Sequence, residues 1–70
     1  MNYHPTSPIT FRGLPWVMER TSLKRTIIYD LMSRGEFPRS RKLTANRVGW
    51  VEAEVLDWCA ERAGIVEEAA

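Results

Sequence analysis

The side chains in this sequence whose type and spacing most clearly indicate a chemical role are cationic. They are concentrated in the middle of the chain. Residues 12–47 carry nine Lys or Arg and three acids, a formal charge of +6. Residues 48–70 carry one Arg and six acids, a formal charge of −5. Clustered Lys and Arg bind phosphate groups. The charge pattern predicts a cationic working face and a separate acidic element, with uneven charge on a small soluble domain as the alternative explanation.

Residues that could act as nucleophiles, general acids or metal ligands are few and isolated. His4 is the single histidine and Cys59 the single cysteine. An internal disulfide is therefore excluded, and the four Cys or His ligands of a structural zinc site cannot be assembled. Glu54, Asp57 and Glu61 form an acidic stripe, but catalytic carboxylate pairs need a cleft that raises the pKa of one member. We therefore expect no enzyme activity, no metal, no cofactor and no small-molecule ligand.

Length and apolar content limit the class of protein. The chain has 70 residues, enough for one small domain, and 44% of them are apolar, as in ordinary folded domains. The longest apolar run is three residues, too short to span a membrane, and the N-terminus lacks the features of a signal peptide. We expect a cytoplasmic protein with no membrane partner. Its predicted organisation is a flexible lead-in over 1–11, a folded domain over 12–64 and a frayed tail over 65–70.

Three predicted helices would position the cationic side chains. Pro15 suits the first turn of the first helix. The second helix, over about 24–34, ends where Gly35 can adopt a left-handed conformation, and Ser22 lies close enough to cap its start. The third helix covers about 52–63. The apolar residues of these helices follow i, i+3, i+4 spacing: Leu14, Val17 and Met18, then Ile28, Leu31 and Met32, then Val55, Trp58 and Cys59.

A basic β-hairpin is predicted between the second and third helices. Its strands lie near 41–43 and 48–50, and its turn covers 44–47. Because a bare hairpin is unstable in water, its apolar residues should pack onto the helices. The residues predicted to face inward are Leu43, Val48 and Trp50. Four cations decorate the hairpin and its approach: Arg39, Arg41, Lys42 and Arg47.

The order helix, tight turn, helix, basic hairpin, helix is typical of a winged helix-turn-helix, a mainly α fold with a small β-hairpin. In that fold the second helix lies in the major groove of DNA, and the hairpin can reach phosphates or a minor groove. Base contacts specify the sequence, and phosphate contacts supply most of the affinity. The sequence therefore predicts double-stranded DNA as the partner, with the helix over 24–34 reading bases and the wing over 39–47 binding the backbone.

One combination of segments is similar to a known family. The segments are Leu14-Pro15-Trp16-Val17, the stretch 23–32, Gly35-Glu36-Phe37-Pro38 and Val48-Gly49-Trp50. Together they resemble the AlpA family of small phage and prophage regulators, in the excisionase and MerR-like winged helix-turn-helix group, and the resemblance covers residues 12–62. It implies sequence-specific binding of duplex DNA, transcriptional control at the nucleoid of a bacterial host and, in some members, promotion of prophage excision.

Carried over by position, the resemblance implies DNA contacts from the second helix and from the wing. The contact residues that it implies are Lys24, Arg25, Thr26 and Tyr29 in the helix and Arg39, Arg41, Lys42 and Arg47 in the wing. Two positions depart from the family's pattern, since Lys24 replaces a small hydroxyl residue and Asp30 replaces a frequent basic residue. A carboxylate at position 30 would repel phosphate or accept a hydrogen bond from a cytosine amine.

Two other functions are compatible with the same sequence. The domain could be the DNA-recognition part of a phage packaging protein, similar to a terminase small subunit, with the acidic helix mediating oligomerisation. It could instead be a protein-binding anti-repressor that presents Trp16 and the acidic stripe. In the leading interpretation, further copies of the chain bind cooperatively on DNA, because a single module buries only about 600–1,000 Å² of interface.

Overall fold

The computed structural model describes residues 8–64, which form three helices around a small antiparallel sheet. The elements are, in chain order, β1 (Phe11–Arg12), α1 (Leu14–Thr21), α2 (Arg25–Ser33), β2 (Arg41–Thr44), β3 (Arg47–Val51) and α3 (Glu52–Ala63). This arrangement confirms the predicted fold class, mainly α with a small β-hairpin of winged-helix type. The predicted tail over 65–70 and residues 1–7 of the predicted lead-in lie outside the described residues.

Thr21 and Ser22 build the tight turn between α1 and α2. The Thr21 hydroxyl donates to the Val17 carbonyl at 2.8 Å and accepts the Leu23 N–H at 3.2 Å. Ser22 adopts a left-handed φ of 63°, and its N–H closes the last turn of α1. The prediction that Ser22 caps the start of α2 is wrong, because its left-handed backbone ends α1 and the extended N-cap position of α2 falls on Lys24.

Gly35 ends the second helix, as the sequence predicts. Its φ is 72°, a left-handed conformation that costs glycine little. The Gly35 N–H donates to the Met32 carbonyl at 3.0 Å, and the Glu36 N–H donates to the Leu31 carbonyl at 2.8 Å. These two bonds satisfy carbonyls that the end of a helix would otherwise leave unpaired. The chain then turns sharply away from α2 toward the hairpin.

The buried core draws one residue from nearly every element. Val17, Ile28, Trp50 and Val55 are fully buried, and Phe37 is 4% exposed. They come from α1, α2, β3, α3 and the segment that joins α2 to β2. Burial of each large apolar side chain contributes about 1.5–3 kcal/mol to folding. The core therefore holds α2 against the sheet, so that the exposed side of this helix is fixed in direction.

Two tryptophans fasten the segment 34–40, which we call the connector. The Trp50 indole N–H donates to the Pro38 carbonyl at 3.1 Å, and the Trp58 indole N–H donates to the Glu36 carbonyl at 2.9 Å. Trp58 also packs edge to face on the Phe37 ring, with centroids 4.8 Å apart. Because β2 follows the connector directly, these contacts also fix where the hairpin begins.

The sheet has the strand order β1-β3-β2, with Trp50 on the face covered by helices. The predicted inward packing of Leu43 and Val48 is wrong, since they are 42% and 44% exposed. Leu43 lies on the opposite face from Trp50 and packs over Gly49, where an added Cβ would come within 2.9 Å of Leu43 Cδ1. Val48 pairs with Lys42 and shares the face of Trp50, but it lies two residues nearer the turn, where it stays exposed.

The two-residue strand β1 was not predicted. Its residues pair with β3 in the register Phe11 with Val51 and Arg12 with Trp50. The Glu52 N–H donates to the Thr10 carbonyl at 2.7 Å, and Arg12 forms an ion pair with Glu52 at 3.4 Å. These contacts tie the chain before α1 to the junction of β3 and α3. A strand of two residues is too short for its alternation to be recognised in a sequence.

Candidate nucleic-acid interface

The exposed face of α2 is set by the burial of Ile28 on the other side. Successive residues in a helix are rotated by about 100°. The face opposite Ile28 therefore presents Thr26, Asp30 and Ser33, and all three are exposed. Tyr29 lies at the edge of this face and is 37% exposed. The predicted contact residue Thr26 thus occupies the position farthest from the core.

The N-terminal end of α2 is suited to an anion. Lys24 is its N-cap residue and Arg25 is its first helical residue, and both side chains are exposed. The first turn carries no acidic residue. The first N–H groups of a helix lack intrahelical partners and carry the positive end of the helix dipole. The N-terminal end of α2 therefore combines the free N–H groups of its first turn with two exposed cationic residues.

Tyr29 links α2 to the sheet. Its ring meets the Trp50 ring edge to face, with centroids 6.1 Å apart and an interplanar angle of 69°. The Arg25 guanidinium lies 5.7 Å from the centroid of the Tyr29 ring. Such cation–π contact restrains a long arginine side chain. The Tyr29 ring therefore contacts both the buried Trp50 and the Arg25 guanidinium, and the residue remains more than one-third exposed.

Arg39 belongs to the same flank as α2. It lines a shallow pocket together with Tyr29, Met32 and Ser33. The connector brings it there, because the chain turns back across the end of α2 after Gly35. The structure therefore brings together the predicted contact residues Lys24, Arg25, Thr26, Tyr29 and Arg39 along α2 and its C-terminal end.

The three cations of the hairpin strands are divided between the two faces of the sheet. Lys42 is paired with Val48 and lies on the helix-covered face with Trp50. Arg41 is paired with Gly49 and lies on the outer face. Arg47 follows the turn, and strand alternation places it on the outer face as well. Of these three residues, Lys42 therefore shares the side of the sheet on which α2 packs.

Arg41 is engaged by α3, a contact that sequence reasoning missed. Its two terminal nitrogens donate to the two carboxylate oxygens of Glu54 at 2.9 and 3.2 Å. Glu54 belongs to the predicted acidic stripe of the third helix, together with Asp57 and Glu61. The opposite charges of the hairpin and the third helix indicate that an ion pair can form between them. Which two residues pair depends on the register of the hairpin.

Two further features of α2 were also missed. Ile27 is 46% exposed, and it lies outside the predicted apolar stripe of Ile28, Leu31 and Met32. Asp30 forms an i, i+4 ion pair with Arg34 at 3.2 Å. The Asp30 carboxylate, which replaces a frequent basic residue of the family, is thus partly neutralised by a residue one turn farther along. Ile27 adds an apolar side chain at the border of the exposed face.

Trp16 of α1 is half-buried between two cations. The Arg12 and Arg20 guanidinium groups lie 5.2 and 5.3 Å from the centroid of its ring.

Within residues 8–64, no group of three or more His, Cys, Asp or Glu side chains is arranged to hold a metal ion. In the same part of the chain, no helix has both the length and the apolar character needed to cross a membrane.

Comparison with known proteins identifies the family. The profile of the family described as "Prophage CP4-57 regulatory protein (AlpA)" matches residues 13–63, which include every helix and both strands of the hairpin. The chain belongs to the AlpA family. This family is described as one of regulators rather than of enzymes.

Two curated relatives of this AlpA-family chain cover most of its length. The "DNA-binding transcriptional activator AlpA" of Escherichia coli K12 is 32% identical over 66 residues, which cover 86% of this chain and 94% of the relative. The "Uncharacterized protein ORF88" of Enterobacteria phage P4 is 40% identical over 52 residues, which cover 74% of this chain and 59% of the relative. No solved structure matches significantly.

Proposed function

We propose that this protein binds double-stranded DNA in a sequence-specific manner and regulates transcription from prophage DNA. The observation that carries the proposal is the junction of α2 with the sheet, where Tyr29 meets Trp50 at 6.1 Å. This contact supports a single surface formed by the N-terminal end of α2, Arg39 of the connector and Lys42 of the wing. The Escherichia coli relative, named as a DNA-binding transcriptional activator, supports the same class of activity.

In the proposed complex, α2 lies in the major groove. Thr26 and Arg25 face base edges in this proposal, because both lie in the first turn of the helix and both are exposed. Lys24 and the free N–H groups of this turn bind a phosphate. The Tyr29 hydroxyl contacts the backbone or a base from the edge of the face, and Ile27 provides an apolar contact for a thymine methyl group.

The wing binds the DNA backbone beside the groove. Arg39 and Lys42 reach phosphates from the side of the sheet that carries α2, and Arg47 extends the contact at the hairpin tip. Arginine side chains in this position also suit a narrow minor groove, where the negative potential is enhanced. Phosphate contacts from the wing add affinity without selecting a sequence, whereas contacts from α2 select the site.

Several copies bind at neighbouring sites in this proposal. A single module buries about 600–1,000 Å² of protein surface on DNA, and such an interface gives modest affinity by itself. Adjacent binding would raise occupancy and would allow the same complex to shape prophage DNA for excision. The protein would act at the nucleoid in the cytoplasm of its bacterial host.

Selection of genomic fragments tests the proposed function. Purified protein is mixed with sheared DNA of the source genome at moderate salt, and the bound fragments are sequenced. We expect enrichment of a few sites that share a short motif, with footprints longer than one module covers. Enrichment spread evenly over the genome would contradict sequence-specific regulation, and failure to retain any duplex would contradict DNA binding.

A further inference from the structure

Arg41 is the wing cation that is held most closely within the molecule. Its guanidinium makes a fork-to-fork contact with the Glu54 carboxylate, through Nη1 to Oε1 at 2.9 Å and Nη2 to Oε2 at 3.2 Å. This paired geometry fixes orientation as well as distance, because two parallel hydrogen bonds must form together. Arg41 thus joins the wing to Glu54 of α3, which lies thirteen residues farther along the chain.

The edge position of β2 makes this contact important for the direction of the wing. The strand order β1-β3-β2 leaves β2 with one strand neighbour, and all four residues of β2 are exposed. The register also shifts between Lys42 and Thr44, so the ladder is irregular toward the turn. The Arg41–Glu54 pair attaches β2 to α3 from the outer face of the sheet.

Successive side chains of β2 point to opposite faces of the sheet, so the directions of neighbouring side chains are linked. Arg41 and Lys42 are consecutive and point to opposite sides. When Glu54 holds Arg41 on the outer face, Lys42 is directed to the face on which α2 packs. A small rotation of β2 would move both side chains together, since they share one backbone.

We propose that Glu54 is a positioning residue for DNA binding, which holds Arg41 so that Lys42 is presented beside α2. This inference rests on the proposed function. In this proposal Arg41 pairs with Glu54 of the same molecule and does not bind a phosphate of DNA. It also gives the first turn of the acidic helix a role in recognition that does not involve contact with DNA.

The exposure of the pair makes this role separable from folding. The Arg41 and Glu54 side chains are 47% and 41% exposed. Ion pairs with this exposure contribute little to the free energy of unfolding. Variants that break the pair should therefore stay folded, and their defect should appear in DNA affinity.

The experiment compares the single variants with an exchange of the two charges. Duplex affinity is measured as a function of salt for Arg41→Ala, for Glu54→Gln and for the double variant with Arg41→Glu and Glu54→Arg. We expect each single variant to weaken binding by up to about fivefold, the upper end for an exposed pair, without changing the slope of log affinity against log salt. The exchange should restore affinity, because it restores the attachment of β2.

Two control variants define the readout. Glu61→Gln removes a carboxylate from the same stripe of α3, and within residues 8–64 the ion pairs do not include Glu61; its affinity should stay within about twofold of the original. Lys42→Ala removes a proposed phosphate contact and should make the salt slope shallower by about 0.9.

Three outcomes would overturn the inference. If Arg41→Ala makes the salt slope shallower as Lys42→Ala does, Arg41 binds phosphate itself. If Glu54→Gln strengthens binding, Glu54 competes with DNA for Arg41. If the exchange variant is folded by circular dichroism but stays as weak as the single variants, attachment of β2 is not the reason for their defect. Absence of duplex binding by the unaltered protein would instead remove the proposed function on which the inference rests.

Discussion

The helices α2 and α3 are fastened to the molecule in similar ways but carry opposite charge. Tyr29 of α2 meets Trp50 edge to face, and Trp58 of α3 meets Phe37 edge to face. The first turn of α2 has no acid and is flanked by cations, whereas the first turn of α3 carries Glu52 and Glu54. The packing is thus alike, and the exposed charge differs.

This difference separates the placement of a helix from its binding properties. Aromatic and aliphatic packing fixes where each helix lies, because these contacts exclude water over a large area. In the proposed complex, charge at the exposed N-terminal turn selects the partner, and the cationic turn of α2 binds a phosphate of DNA. The acidic turn of α3 holds Arg41 of the protein's own wing through Glu54.

Removal of the two tryptophans should affect folding unequally. Trp50→Ala should lower the free energy of unfolding by about 3–5 kcal/mol, because a fully buried large side chain is lost from the core. Trp58→Ala should cost roughly 1–2 kcal/mol, because Trp58 is partly exposed. Urea denaturation followed by circular dichroism measures both losses. Equal losses would contradict the larger contribution that is expected of the fully buried Trp50.

Thr26→Ala should change which duplexes are preferred. Thr26 lies opposite the buried side of α2, where it can reach a base edge. Its removal should reduce discrimination at one base position by about 1 kcal/mol, which is about fivefold in relative affinity. Competition between the selected site and single-base variants of that site measures this change. A uniform loss on every duplex would place Thr26 on the backbone instead.

Lys42→Ala should weaken binding to all duplexes by the same factor. Lys42 lies on the face of the sheet on which α2 packs and is proposed to bind phosphate, which carries no sequence information. The salt slope should become shallower by about 0.9. Arg25→Ala provides the contrast on α2, since it should also alter sequence preference. A loss confined to one sequence would contradict the division between helix and wing.

Asp30→Asn should have the smallest effect on stability. The Asp30 and Arg34 side chains are 48% and 61% exposed, and an i, i+4 pair of this kind contributes about 0.3–0.5 kcal/mol. DNA affinity should rise, because the substitution removes a carboxylate from the exposed face of α2 and releases Arg34. A fall in affinity at the selected site alone would indicate that the carboxylate accepts a hydrogen bond from a cytosine.

Much of the fold could be predicted because local signals mark its boundaries. Pro15 lies in the first turn of α1, and the left-handed glycines Gly35 and Gly64 mark the ends of α2 and α3. The predicted third helix over 52–63 has the bounds of α3. Each signal acts through the backbone of its own residue, so that it does not depend on the rest of the molecule.

The features that the sequence did not predict depend on contacts between distant segments. β1 forms because its residues reach β3, nearly forty residues away. The exposure of Leu43 follows from the register of the hairpin, in which Gly49 opens space for it on the outer face. The Arg41–Glu54 pair requires both that register and the direction of α3. Alternation along one strand indicates two faces, but it does not tell which face will be covered.

The salt dependence of duplex binding shows whether the cationic residues of α2 and the wing bind the DNA backbone. The protein is titrated onto the selected site at several salt concentrations, and the logarithm of the association constant is plotted against the logarithm of the salt concentration. Neutralisation of about five phosphates by the α2 flank and the wing predicts a slope near −4.5. A slope near zero would show that the cationic residues do not bind the DNA backbone, and this result would contradict the account.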